Sequence, residues 1–405
     1  MTRSRSLSTA AGALALAAAV AGQGWWHGAL DAQTAAPTYQ VDPLWPKPLP
    51  NHWILGSVTG VAVDARNHVW VVHRGQASLN ARTEAALNAN PPGAEHCCAA
   101  APPILEFDQA GTLVGHWGGP GTGFDWPQTP GGIAVDRDGN IWIAAAGNDP
   151  APAGRGGRGG RGGGRGGGEA AAPPPADAQV LRFSRGGQFQ MQIGKAGQVG
   201  NATSETSLNR PADVAVDSAA GEVYVADGMA GRRVVVFDAK TGAFKRAWGA
   251  YGKPADDTAQ IAPYDPAETA PQQFRGVNCV AVSNDGQVYV CDRASNRIQV
   301  FKKDGTFVKE MVISKTTRGR GAVWDIAFSN DPQQQFLFVA NGQEQKVHIL
   351  RRDSLEVVSS FGAGGRWPGT FTAVGSVAVD SQGNVYTGET LEGKRVQKFV
   401  RGGAR

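Results

Sequence analysis

One short phrase, written six times, limits what this chain can fold into. It runs apolar-Ala-apolar-Asp, then a small polar turn with Gly or Asn, then a β-rich run that ends in a polar pair. The copies are 60–64 with 69–73, 132–136 with 141–144, 213–217 with 223–227, 280–283 with 288–292, 325–328 with 336–341, and 376–380 with 384–388. A block repeated this often cannot bury its apolar face alone, so the blocks must stack or close on one another.

Each block continues in the same way. A third run follows, as at 233–238 and 297–301. A turn comes next, Lys240-Thr241-Gly242 or Lys303-Asp304-Gly305. A fourth run then ends near Trp117-Gly118, Trp248-Gly249 or Phe361-Gly362. Four short strands separated by Gly/Asp turns make one propeller blade, and the β-branched alternation excludes helices over most of the chain. The expected fold is an all-β, six-bladed propeller occupying 38–405 as a single domain. The last block stops at its third strand, 395–399. Its fourth strand is expected from 38–41, which would tie the two ends together and remove an open edge; a frayed N-terminal tail is the alternative.

Residues 1–32 read as a signal peptide and short leader. Arg3 and Arg5 precede a charge-free Ala/Leu run over 9–21, with small-residue cleavage sites at Ala21 and Ala32. The run is too short and too weakly apolar for a good membrane span; an uncleaved anchor is the alternative. The expected location is secreted or periplasmic. No transmembrane segment should remain after removal of the signal, and the ring should be a monomer.

The formal net charge of +4 invites a nucleic-acid reading, but its distribution argues against one. Arg3 and Arg5 belong to the leader. Arg155, Arg158, Arg161 and Arg165 belong to a Gly/Arg tract over 154–168, inside a long loop at 148–178. The ring itself is therefore not basic, and no nucleic-acid partner is expected. The tract has no apolar residue to bury and is expected to be disordered, either as a solvated loop or in contact with an anionic surface polymer.

The four cysteines form two pairs. Cys279 and Cys291 flank the turn Asn284-Asp285-Gly286 and should face each other across a hairpin, at a separation that suits a disulfide in an oxidising compartment. Cys97 and Cys98 are adjacent, after His96, in a second long loop at 76–103. A vicinal disulfide, free thiols or a soft metal site are all open there; the spacing is not that of a zinc site.

The repeats resemble NHL-type repeats, and within that class the peptidyl-α-hydroxyglycine α-amidating lyase propeller. The similarity covers most of the chain from Trp45 onward, apart from the two long loops. It is carried by Leu55-Gly56-Ser57-Val58-Thr59-Gly60 with Val72-His73-Arg74-Gly75, by Arg210-Pro211-Ala212-Asp213 with Ala226-Asp227-Gly228, and by 291–299. That family holds a catalytic zinc with three histidines. The resemblance puts Gly131, Asn278 and Gly375 at their positions, so zinc is not expected. The family's catalytic tyrosine falls on Met229. Its structural calcium uses two backbone carbonyls, here Val61 and Ile133, and a carboxylate, here Ser376. Calcium is therefore possible but weakened. Arg74 and Arg293 stand where the family recognises substrate.

Blade geometry points to the same place. The first strand begins, and the second ends, on one face of the ring. Thr59, Gly131, Ala212, Asn278, Trp324 and Gly375 precede the six opening phrases. His73, Arg74, Asn148, Asp227, Met229, Asp292, Arg293, Asn341 and Glu389 follow the second strands. Together they should ring one mouth of the central channel, where propeller ligands bind. The candidate ligand-binding set is His73, Arg74, Asp227, Met229, Asn278, Asp292, Arg293, Trp324 and Glu389. Asp227, Asp292 and Glu389 are expected to orient the two arginines. The expected function is binding of a small anionic or peptide-like ligand, or a protein partner, at that mouth. A lyase or hydrolase with a relocated metal, and a structural module of the cell envelope, are the alternatives. No Ser/His/Asp spacing, phosphate loop or paired-carboxylate phrase stands out, and the seven histidines are scattered.

Overall fold

A computed structural model describes residues 35–146, 177–228 and 231–402. The leader, the Gly/Arg tract and Met229 lie outside these residues, and so do most of the 148–178 loop and Asn148.

Six four-stranded antiparallel sheets follow one another along the chain. Blade 1 consists of Val58–Val63, Val69–His73, Ile104–Phe107 and Leu113–Trp117. Blade 2 consists of Pro130–Val135, Ile141–Ala145, Gln179–Phe183 and Phe189–Gly194. Blade 3 is Pro211–Asp217, Glu222–Asp227, Arg233–Asp238 and Phe244–Trp248; blade 4 is Val277–Val282, Gln287–Asp292, Arg297–Lys302 and Phe307–Val312. Blade 5 is Asp325–Phe328, Phe336–Asn341, Lys346–Arg351 and Val357–Phe361. Blade 6 takes three strands from the C-terminal end, Val374–Val379, Val385–Glu389 and Arg395–Arg401, and its outer strand, Tyr39–Asp42, from the N-terminal end. Tyr39 pairs with Arg401 and Asp42 with Lys398. The first strand of each blade neighbours that of the next, and that of blade 6 neighbours that of blade 1, so the ring closes around a channel.

The repeated phrase has a local cause. In blades 1, 2 and 6 the aspartate that ends the opening phrase folds its own turn and then reaches an aromatic residue on the second strand. Asp64 accepts the amides of Arg66 and His68 at 2.8 and 2.9 Å, and the Trp70 indole at 3.2 Å. Asp136 does the same for the amides of Asp138 and Asn140 and for Trp142, and Asp380 for the amides of Gln382 and Asn384 and for the Tyr386 hydroxyl. The hairpin and the buried ring are thus fixed by one carboxylate.

Apolar side chains from adjacent sheets interdigitate between blades. Cys279, Cys291, Ile298 and Val300 of blade 4, for example, pack on Ile326, Leu337, Val339 and Leu350 of blade 5. Cys279 pairs with Cys291 across the hairpin, and the two form a disulfide. Cys97 and Cys98 form a second, vicinal one. The 76–103 segment is more ordered than its sequence suggests. It carries a one-turn helix at Ala86–Asn88, and Ala99–Ala100 pairs in parallel with Trp53–Ile54. Among the described residues no helix is long and apolar enough to cross a membrane.

Candidate functional site

The first strands present three successive residues to the channel in order of depth. The outermost are Thr59, Gly131, Ala212, Asn278, Trp324 and Gly375, the six expected from the sequence, and all line one cavity of about 420 Å³. The second level contributes Gly60, Gly132, Asp213 and Asp325. The third is a ring of branched aliphatic side chains, Val61, Ile133, Val214, Val280, Ile326 and Val377, all buried. The first apolar letter of each repeated phrase therefore narrows the channel with hydrocarbon.

Three arginines line the same cavity. Arg74 and Arg293, from blades 1 and 4, follow the second strands; Arg320 comes from the loop that enters blade 5. The Arg293 guanidinium lies 4.8 Å from the centroid of the Trp324 ring, a cation–π contact. The Trp324 indole donates to the Gly321 carbonyl at 2.7 Å, and the Asn278 amide donates to the Trp324 carbonyl. Four of the nine candidate residues, Arg74, Asn278, Arg293 and Trp324, thus converge on one space. Met229 lies outside the described residues.

The other four do not line this cavity, which corrects the placement expected from the sequence. Asp292 accepts the amides of Arg275 and Gly276, at the entry to its own blade, and the Arg297 guanidinium at 2.9 Å. Asp227 accepts the Asn209 amide and the Arg233 guanidinium, and Glu389 the Thr372 amide and the Arg395 guanidinium. All three acids are fully buried. His73 is the blade 1 counterpart. Its Nδ1 accepts the amides of Gly56 and Gly75, both at 3.0 Å, and its Nε2 donates to the Pro102 carbonyl. Burial holds this imidazole neutral, with its pKa lowered to about 4. Each of these residues clamps the loop that enters its own blade. The signal was readable: an arginine opens the third strand shortly after each acid, at Arg233, Arg297 and Arg395. Those arginines bond directly to the three acids.

Asp213 and Asp325 were missed. Each stands inside the opening phrase, where it read as part of the strand pattern. Asp213 accepts the Val280 amide of the next blade at 3.1 Å, and Asp325 accepts the Val377 amide of its next blade at 2.8 Å and the Ile326 amide. Burial pushes the Asp213 carboxyl up to about 7, and burial followed by the Asp213 charge raises Asp325. The legible clue was an acid at a position where the other blades carry Gly60, Gly132, Cys279 and Ser376.

Outside the channel, Asp64, His68 and Glu106 bring ligand atoms within 4.8 Å of one another. The Arg185 guanidinium occupies that cluster, bonded to both carboxylates and lying over the Trp70 ring. It fastens blade 2 to blade 1.

The NHL repeat family matches residues 274–301, the entry and first three strands of blade 4. The chain is a six-bladed propeller that carries an NHL repeat in blade 4. Peptidyl-glycine alpha-amidating monooxygenase A of Xenopus laevis is 27% identical to it over 265 residues, covering 64% of this chain and 23% of that protein. This propeller thus spans about a quarter of the length of that relative. NHL repeat-containing protein 3 of Mus musculus is 23% identical over 384 residues, 90% of this chain and 84% of that one. A crystal structure of a Bacteroides thetaiotaomicron protein of unknown function superposes with a TM-score of 0.49 at 13% identity, over 86% of this chain and 70% of that chain.

The positions that the lyase resemblance assigns to zinc, Gly131, Asn278 and Gly375, do line the cavity, but they offer neither imidazole nor thiolate. Their donor set does not fit a zinc ion. At the calcium carboxylate position, the Ser376 hydroxyl is buried without a hydrogen-bond partner, packed beside Gly388 and the side chains of Val58 and Val61. It supplies no charge to a divalent cation.

Proposed function

We propose that this propeller is an exported binding protein that takes a small anionic or peptide-like ligand at the mouth of its channel, with Arg74 and Arg293 as the anchors. The observation that carries this reading is that arginines from opposite blades line one cavity that also holds Asn278 and Trp324. Arginine offers a planar fork of donors that matches a carboxylate, and an aromatic wall and an amide suit the rest of a peptide-like molecule. Export is supported by two disulfides, which persist in oxidising compartments. The test is calorimetric titration of the mature protein with short peptides bearing a free or an amidated C-terminus. The free carboxylates should bind, and Arg74→Ala with Arg293→Ala should weaken them at least about tenfold while the melting temperature stays nearly unchanged. Equal binding of both peptide series, or an unaltered affinity in the double variant, would sink the proposal.

Sequence similarity to an amidating monooxygenase favours a second reading, turnover of an α-hydroxyglycine peptide. Release of glyoxylate by the purified protein, dependent on Arg74, would support it. The lack of imidazole at Gly131, Asn278 and Gly375 counts against it.

A further inference from the structure

The inner half of the cavity has the opposite polarity to its mouth. Asp213 comes from blade 3 and Asp325 from blade 5, each one residue deeper than the outermost level, and directly above the aliphatic ring. The hydrogen bonds that both accept come from backbone amides of Val214, Val280, Ile326 and Val377. Among the described residues neither has an arginine or lysine in its hydrogen-bonding shell. This contrasts with Asp227, Asp292 and Glu389, each bonded to a guanidinium. Both residues are half-buried in the cavity wall, and a carboxylate held there by amides alone favours a proton or an incoming cation. The neighbouring blade makes room for it as well: a Cβ added at Gly132 would sit 1.8 Å from Asp213 Oδ1.

We infer that the inner cavity is a cation subsite, in which Asp213 and Asp325 receive an alkylammonium group of a ligand whose carboxylate is held at the mouth by Arg74 and Arg293. The inference rests on the proposed anion site for its outer half. It makes the ligand class dipolar, an amino acid or a short peptide bearing an amine. An ammonium offers three donors and no acceptor, so two carboxylates satisfy most of it. Calcium asks for six or more oxygens, and among the described residues the cavity lining supplies two carboxylate side chains. Opposite charges at the two ends also discriminate. A simple anion in the cavity meets the aspartates, and a simple amine meets the arginines, so each half-ligand is opposed where the dipolar one is welcomed. The charged groups that share the space with the pair are Arg74, Arg293 and Arg320. Burial raises both carboxyls, and the Asp213 charge raises Asp325 further, so a cation placed between them would relieve both effects.

The test compares δ-aminovalerate with its two halves, valerate and pentylamine, and with calcium chloride, by calorimetric titration of the mature protein. δ-Aminovalerate should bind about tenfold or more tighter than valerate. In the isosteric Asp213→Asn/Asp325→Asn double variant that advantage should fall below about twofold, with valerate binding equally well or better. Circular dichroism checks the fold, and the single Asp325→Asn variant, which should lose part of the advantage, serves if the double variant does not fold. Valerate binding as tightly as δ-aminovalerate overturns the cation subsite and leaves the anion site standing. Failure of every carboxylate to bind overturns both. Calcium that binds tightly, is lost in the Asn variants and excludes δ-aminovalerate also overturns the inference, and assigns the aspartates to a metal instead.

Discussion

Asp227, Asp292 and Glu389 end their second strands facing arginines that open the third strands, whereas Asp213 and Asp325 stand on first strands, line the channel cavity and accept backbone amides. Both sets are acids within a few residues of one cavity. The first set has its charge neutralised inside its own blade and holds the loop that enters that blade. The second set, on the channel wall, has no bonded arginine or lysine among the described residues. An acid near a propeller mouth therefore means scaffold or site according to whether an arginine follows it on the next strand.

This contrast can be broken by mutation. Arg297→Ala leaves Asp292 buried without its cation, and removing one partner of such a pair typically costs about 3–5 kcal/mol. Asp325→Asn removes no cation contact and should leave stability unchanged or raised. Urea denaturation of the two variants side by side checks this; a loss below about 1 kcal/mol for Arg297→Ala would erase the distinction.

The two regions should also respond to pH with opposite signs. His73 has a folded pKa lowered to about 4, below its unfolded value. It contributes stability above pH ~6.5 that is lost as pH falls towards 4, about 3 kcal/mol in all. Asp213 and Asp325 have raised folded pKa values. Their contribution is fully present below pH ~4 and is lost as pH rises through neutrality. Between pH 4 and 6.5 the two trends offset each other. His73→Gln should leave a stability that declines as pH rises, and the Asp213→Asn/Asp325→Asn double variant one that increases. Denaturation midpoints measured across that window check the pair, and parallel profiles for the two variants would contradict the assignment.

The smallest of these effects concerns the hairpin of blade 4. Reducing or replacing Cys279 and Cys291 should cost about 2–3 kcal/mol, since the loop they close is short. A neutral result would mean that the interblade packing around Cys279 and Cys291 holds the hairpin without the bond.

Much of this architecture was legible in the sequence. Six copies of one phrase set the blade count, and the short last block pointed to 38–41 for its missing strand, which Tyr39–Asp42 supplies. The six outermost channel residues followed from strand direction alone. The site was harder to read, because residue type does not say which neighbour a charge will meet. Asp292 and Asp213 look equally available in one dimension; only the approach of Arg297 to one of them, and the yielding of Gly132 to the other, tell them apart. The pairing of Ala99–Ala100 with Trp53–Ile54 had no periodic signal to announce it, being only two residues long.

The borrowed outer strand of blade 6 also sets a clock. Tyr39 and Arg401 pair directly although nearly the whole ring separates them along the chain. At ordinary synthesis rates roughly 20–70 s pass between the emergence of one and of the other. Five blades can form meanwhile, but the sixth cannot be completed, and its edge stays open to pairing with another chain. Loss of a few residues from either side of this seam, whether from 39–42 or from 398–401, would reopen the same edge and turn a finished ring back into its own last intermediate.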